Sequence, residues 1–329
     1  MSRALVLGGG GVTGIAWELG VVAALLEAGV ELAAAELIVG TSAGATVAAQ
    51  ITSGAPLDDL IAMQLSATTA ERAVDLDMDA LIEIFSVLVD ESLEPDARRA
   101  KVGEVALATA TITPDERRAI VASRLPSSEW PAQPLIITAV DAETGAFVEI
   151  TSASSIPLVD AVTASCAVPG IWPPSELDGR RFIDGGVRTS TNADLATGHD
   201  TVLVLTPMDA DMTRPLDRSE VPALEDAGSA VAILRADEDA LAAMGPNPLD
   251  PAMRGPAFDA GRRQGSAAAE DIAWLWEDAS TDDPDDGGWD GEDEDDEDDD
   301  DDIEDDDILD LDDPDDGDDL DDTRAAGEG

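Results

Sequence analysis

Gly40-Thr41-Ser42-Ala43-Gly44 sets one serine between two glycines, directly after the apolar run Leu37-Ile38-Val39 and before a stretch of small residues. In that strand-to-helix context a G-x-S-x-G pentad lifts a serine hydroxyl clear of the backbone, and the positive end of the following helix favours developing negative charge. Earlier, Gly9-Gly10-Gly11-Val12-Thr13-Gly14 forms a second glycine turn after a strand. A dinucleotide site built on it would need an acid at the end of the second strand, where Gly40-Thr41 stands, and a nucleotide-phosphate loop would need a lysine where Ile15 follows Gly14. The use that remains is to aim backbone N–H groups at an oxyanion beside the serine. A serine placed in this way needs a base. His199, the chain's one histidine, lies in the polar turn Ala196-Thr197-Gly198-His199-Asp200 and reads as a turn residue. Asp184, in Phe182-Ile183-Asp184-Gly185-Gly186, ends a strand at an acid with two glycines behind it and is the better candidate, although alone it is also an ordinary Asp-Gly turn.

The elements that must carry these groups follow from apolar periodicity. Ala4 to Leu7 is a strand, Gly14 to Ala28 a helix closed by Gly29, Leu37 to Val39 a strand, and a small-residue helix runs on to about Thr52. Pro56 to Trp130 is almost wholly helical, with helices over Leu57–Leu65, Met78–Val89 and Pro114–Arg124. The last of these begins with Thr113 as N-cap, Pro114 in the first turn and acids behind it. Strands resume at Leu135–Val140, Phe147–Ile150, Arg181–Ile183 and Val202–Leu205, and helices near Ala223–Met244 and Ala257–Trp276 complete the unit. This alternation predicts an α/β fold: a three-layer α/β/α sandwich around a mostly parallel central sheet, with a helical cap inserted over the strand ends. It occupies residues 1–279 as one domain.

Composition narrows the partners. The 329 residues hold 18 basic and 73 acidic side chains, a net charge of −55, and residues 280–329 alone hold 30 acids and one base. That segment cannot bury enough apolar surface to offset its ordering entropy, so it is expected to be a disordered acidic tail of unknown partner. Within it, Asp312-Asp313-Pro314-Asp315-Asp316-Gly317 fails as a calcium loop, because Pro314 occupies a ligand position and no glutamate falls at position twelve. One lysine, Lys101, and so acidic a balance exclude a nucleic-acid partner and a basic patch for anionic membranes. A single cysteine, Cys166, forms no intrachain disulfide. The start, Met-Ser-Arg before Ala4-Leu5-Val6-Leu7, is too short and wrongly flanked for a signal peptide, and the longest apolar run, Leu19 to Leu26, is well below the roughly 18 residues of a membrane span. The expectation is a cytoplasmic protein without a transmembrane segment, touching membranes at most peripherally.

Together these motifs resemble the patatin-like phospholipases: a glycine loop over Gly8 to Gly14, a nucleophile pentad at Ser42, a D-G-G turn at Asp184, and flanking segments Ala164-Ser165, Val168-Pro169-Gly170-Ile171 and Asn192. The resemblance covers roughly residues 4 to 275. It implies a Ser42–Asp184 dyad without histidine, an oxyanion hole of Gly9, Gly10 and Gly11 N–H groups, flanking glycines Gly40, Gly44, Gly185 and Gly186, no metal or organic cofactor, and a lipid or acyl-ester substrate. Where the family commonly carries Arg or Lys, this chain has Thr13, which favours neutral esters. Two other readings stay open: an esterase or acyltransferase on a small soluble ester, and an interaction protein on this scaffold. Cys166 reads as a packed thiol, Trp172 as either an acyl-pocket wall or a core plug, and Leu81, Ile84, Phe85 and Leu88 as helix packing ahead of a lipid-facing lid. Arg180-Arg181 and Arg262-Arg263 read as partners in local ion pairs.

Overall fold

A computed structural model describes residues 1–66, 70–74, 78–208 and 219–278. The disordered-tail expectation and the Asp312–Gly317 segment lie outside them, and so does the end of the 1–279 domain. The first unit is β1 (Arg3–Leu7), α1 (Gly11–Glu27), β2 (Leu37–Gly40) and α2 (Ala43–Ile51). β1 is fully buried from Ala4 to Leu7 because it is a central parallel strand covered on both faces, which is why it reads as a continuous apolar run. Helices α3 (Leu57–Leu65), α4 (Met78–Leu88), α5 (Pro95–Ala108) and α6 (Pro114–Ala122) then lead to β3 (Leu135–Asp141). The α6 cap is a full capping box: the Thr113 side chain accepts from the Glu116 N–H, and the Glu116 carboxylate accepts from the Thr113 N–H.

The chain continues through β4 (Phe147–Ile150), α7 (Leu158–Ser165), β5 (Ser175–Leu177), β6 (Arg180–Asp184), β7 (Thr201–Thr206), α8 (Glu220–Asp226), β8 (Ala230–Arg235), α9 (Glu238–Met244) and α10 (Arg254–Asp278). The eight strands form one sheet in the order β5-β6-β3-β2-β1-β7-β8, with β4 paired to β3. β3, β2, β1, β7 and β8 are parallel, while β4, β5 and β6 run antiparallel to their neighbours. The α/β sandwich with a mostly parallel sheet is thus observed.

One expectation is corrected. The helix proposed near Ala223–Met244 is a helix, a strand and a second helix: Gly228 at φ 92 ends α8, and Ala230–Arg235 pairs in parallel with β7 along its length. Its alternating Ala and branched residues fit either state, and pairing with the sheet decides. The inserted helices lie around the antiparallel edge. Ile84 and Leu88 of α4 are buried with Val102 and Ala106 of α5 against Val140, Ile183 and Val187. Ile84 and Leu88 thus take the packing role expected of them, whereas Phe85, expected to pack with them, is exposed; the Leu81 side chain lies outside what is described.

Candidate active site

β2 delivers Ser42 and β6 delivers Asp184, with β3 between them. Gly40 pairs with Ile137, and Asp184 with Ala139 two residues further on, so register brings Ser42 and Asp184 level at the same end of the sheet. His199 precedes β7 at the opposite end; its Nδ1 lies 2.9 Å from the Ala196 carbonyl. The structure therefore brings Ser42 and Asp184 together and leaves the histidine apart.

Ser42 has φ 53 and ψ −108, in the left-handed half of backbone space that non-glycine residues avoid. Such a conformation costs about 1–3 kcal/mol and persists only where its surroundings fix it. Here they do. The Ser42 N–H donates to Ser165 Oγ at 2.9 Å, and its carbonyl accepts from Cys166 Sγ at 3.1 Å. Gly44 is required by close approach, since a Cβ there would stand 2.0 Å from the Leu7 carbonyl oxygen. Ser42 is buried, with a relative exposure of 7%.

Asp184 is buried as well. Its N–H donates to the Ala167 carbonyl at 3.0 Å, and its Oδ1 accepts from the Gly186 N–H at 2.8 Å. Burial pushes its carboxyl up to about 6, while the Ser42 hydroxyl, the Gly186 N–H and the charge of Arg117 pull the other way. Among the described residues Oδ2 has no hydrogen-bond partner, while the Ser42 hydroxyl stands close enough to the carboxyl to favour its ionised form. Gly185 lets this turn lie on β3, because a Cβ on it would meet Thr138 Oγ1 at 2.1 Å.

The glycine loop lies beside the serine: a Cβ on Gly9 would come 3.7 Å from that of Ser42. The Gly9 N–H, however, donates to the Ser190 carbonyl at 2.8 Å and is not free for a ligand in this state. Gly10 and Gly11 N–H groups have no acceptor among the described residues, and neither does that of Ala43 at the start of α2. Ala43 was not singled out from the sequence. The signal was its place after the serine, at a helix N-terminus whose first N–H groups are necessarily unpaired inside the helix. Thr13, where a cation was missing, bonds the Pro248 carbonyl through its N–H (3.0 Å) and its Oγ1 (3.3 Å).

Set against known proteins, residues 5–197 match the family model of the patatin-like phospholipases. The chain belongs to that family. Uncharacterised NTE family proteins of Mycobacterium tuberculosis and Mycobacterium bovis are 33% identical to it over 184 residues, 56% of this chain and 42% of theirs. It therefore matches less than half the length of these relatives. Among solved structures it is similar to VipD from Legionella pneumophila, with a TM-score of 0.42 and 13% identity, covering 82% of this chain and 67% of that one. The type III effector protein ExoU gives 0.38 and 18%, covering 82% and 53%.

In this patatin-like chain Asn192 ties the two turns together. It has φ 53, and its Nδ2 donates to Thr41 Oγ1 (3.0 Å) and to the Gly185 carbonyl (3.3 Å), while Thr41 and Thr138 hydroxyls lie 2.9 Å apart across β2 and β3. Cys166 is a buried thiol, raised by burial above its ordinary range. Trp172 is buried under the Arg117 guanidinium, 4.0 Å from ring centroid to carbon, as a core plug. The four expected arginines pair locally: Arg180 with Asp141, Arg181 with Glu143, Arg262 with Glu27, and Arg263 with Asp237 and Asp239. Among the described residues, no cluster of three or more His, Cys, Asp or Glu is placed to hold a metal ion, and no helix is long and apolar enough to cross a membrane.

Proposed function

We propose that this chain hydrolyses carboxylic esters of lipid-like acyl substrates, with Ser42 as nucleophile and Asp184 as general base. The observation that carries the reading is a serine in a strained strand-to-helix turn, level with a buried carboxyl near pH 6, in a chain of the patatin-like phospholipase family. Asp184 Oδ2 accepts the Ser42 hydroxyl proton as Oγ attacks the acyl carbon. The carbonyl oxygen becomes an oxyanion, held by the N–H groups of Gly10, Gly11 and Ala43 and by the positive ends of α1 and α2. Collapse expels the alcohol, which takes the proton from Asp184. A water then repeats the sequence on the acyl-enzyme and releases the acid.

Assigning the oxyanion to Gly10, Gly11 and Ala43 replaces Gly9, whose N–H is already engaged. Gly40, Gly44, Gly185 and Gly186 shape the two turns. A second reading, hydrolysis of a small neutral ester, is favoured by Thr13, which spends its polar groups on Pro248 and puts no positive charge beside the loop. The test is fluorophosphonate labelling of the protein. Labelling is expected to rise with pH through about 6, vanish in Ser42→Ala and fall strongly in Asp184→Asn; an inert folded parent would overturn the reading. Long-chain phospholipids against short acyl esters then separate the two substrate classes.

A further inference from the structure

Arg117 of α6 is 2% exposed, yet its charge faces no carboxylate at ion-pair distance. Nη2 donates to the Cys166 carbonyl at 3.3 Å, the guanidinium carbon stands 4.0 Å from the Trp172 ring centroid, and Nε and Nη1 have no partner among the described residues. A buried cation left in this condition is costly unless it does something for its surroundings. What surrounds it is the back of the dyad. The Cys166–Ala167 strip that Arg117 holds makes one contact to each dyad residue: Cys166 Sγ donates to the Ser42 carbonyl, and the Ala167 carbonyl accepts the Asp184 N–H.

We propose that Arg117 is a positioning residue of the Ser42–Asp184 pair, fixing through the Cys166–Ala167 strip the backbone of both groups and favouring with its charge the ionised carboxylate of Asp184. The inference rests on the dyad reading above. The charged and titratable neighbours of Arg117 are Arg124, Glu71, Cys166 and Asp184. Arg124 is occupied by Glu71 in two hydrogen bonds of 2.5 and 2.8 Å, so these two largely cancel. Desolvation draws the guanidinium itself down to about 10, so it is still charged at neutral pH. Asp184 has Arg117 as its cationic neighbour, besides the Ser42 hydroxyl and the Gly186 N–H.

The experiment is the rate of fluorophosphonate labelling between pH 5 and 9 in the parent, Arg117→Met and Arg117→Lys. Loss of the cation is expected to move the acid limb of the Arg117→Met profile up by about one pH unit. Labelling would then fall roughly tenfold below pH 6 and little above pH 8. Lysine keeps the charge, so Arg117→Lys is expected to hold the limb where the parent has it. A limb unmoved in folded Arg117→Met, or a loss equal at every pH, overturns the proposal. If Arg117→Met does not fold, the neutral variant Arg117→Gln takes its place: a limb raised by about one pH unit supports the proposal, and a limb where the parent has it overturns it. A parent inert to the probe at every pH fails the dyad reading instead, and a parent limb with Ser42-dependent labelling separates the two failures.

Discussion

The molecule buries two carboxyls within reach of its glycine loop, and they are treated differently. Glu18, on α1, is fully buried with no hydrogen-bond partner for either oxygen at full geometry; burial pushes it well above the usual range, with only the Gly8 backbone pulling back. Asp184 is as deeply set but meets a hydroxyl, an N–H and a distant cation, which return it to about 6. Burial with little opposing it drives a carboxyl toward its neutral form. Burial with three opposed polar contacts makes a group poised near neutrality, and the difference between a locked and a usable carboxyl is the count and direction of those contacts.

The largest expected effect separates the two by activity. Asp184→Asn should lower the labelling rate by about 10²–10⁴-fold, whereas Glu18→Gln, at a carboxyl that burial drives toward its neutral form, should leave it within about tenfold; equal losses would erase the distinction. Next comes charge. Glu18→Lys puts an uncompensated cation in the core and is expected to cost about 3–5 kcal/mol in urea unfolding, and a native-like midpoint would mean that the site admits water.

Stability against pH sharpens the comparison further. Asp184 holds in the folded chain a proton that the unfolded chain releases near pH 4. Its contribution to stability is thus complete below pH 4 and lost as pH rises through about 6. Asp184→Asn, which cannot ionise, should match the parent near pH 4 and exceed it by about 1–3 kcal/mol at pH 8. Glu18→Gln should open a gap of the same sign, present by pH 7 in chemical denaturation. Smallest is the surface control: Arg262→Ala, which breaks the exposed pair with Glu27, should change stability by under about 0.5 kcal/mol at any of these pH values.

Much of this was legible in the chain. The β1 and β2 runs, both glycine turns and the capping box of α6 are local, with their causes inside a few residues. The turn that places Asp184 level with Ser42 was legible through its two glycines, and the position of His199 apart from them through its polar turn. Less accessible were facts set by pairing. β8 is a strand because β7 lies beside it, and the Gly9 N–H is engaged because Ser190, far along the chain, brings its carbonyl there. Neither Arg117 nor Glu18 carries any signal in sequence: a charged residue inside an amphipathic or apolar helix reads as a solvated face until packing shows what covers it.

β3 stands between the strand of the serine and the strand of the acid, and Thr138 on it touches the turn of each. One strand spacing on either side, about 4.8 Å, is a ruler that measures the gap between the proposed nucleophile and its proposed base. Of the five helices between β2 and β3, α3, α4 and α5 are not part of that measurement. These three can lengthen, shorten or change their surface while β2, β3 and β6 keep their register, whereas α6 is tied to the Ser42–Asp184 spacing through Arg117. Change in that part of the insert can therefore accumulate without moving the Ser42 and Asp184 turns.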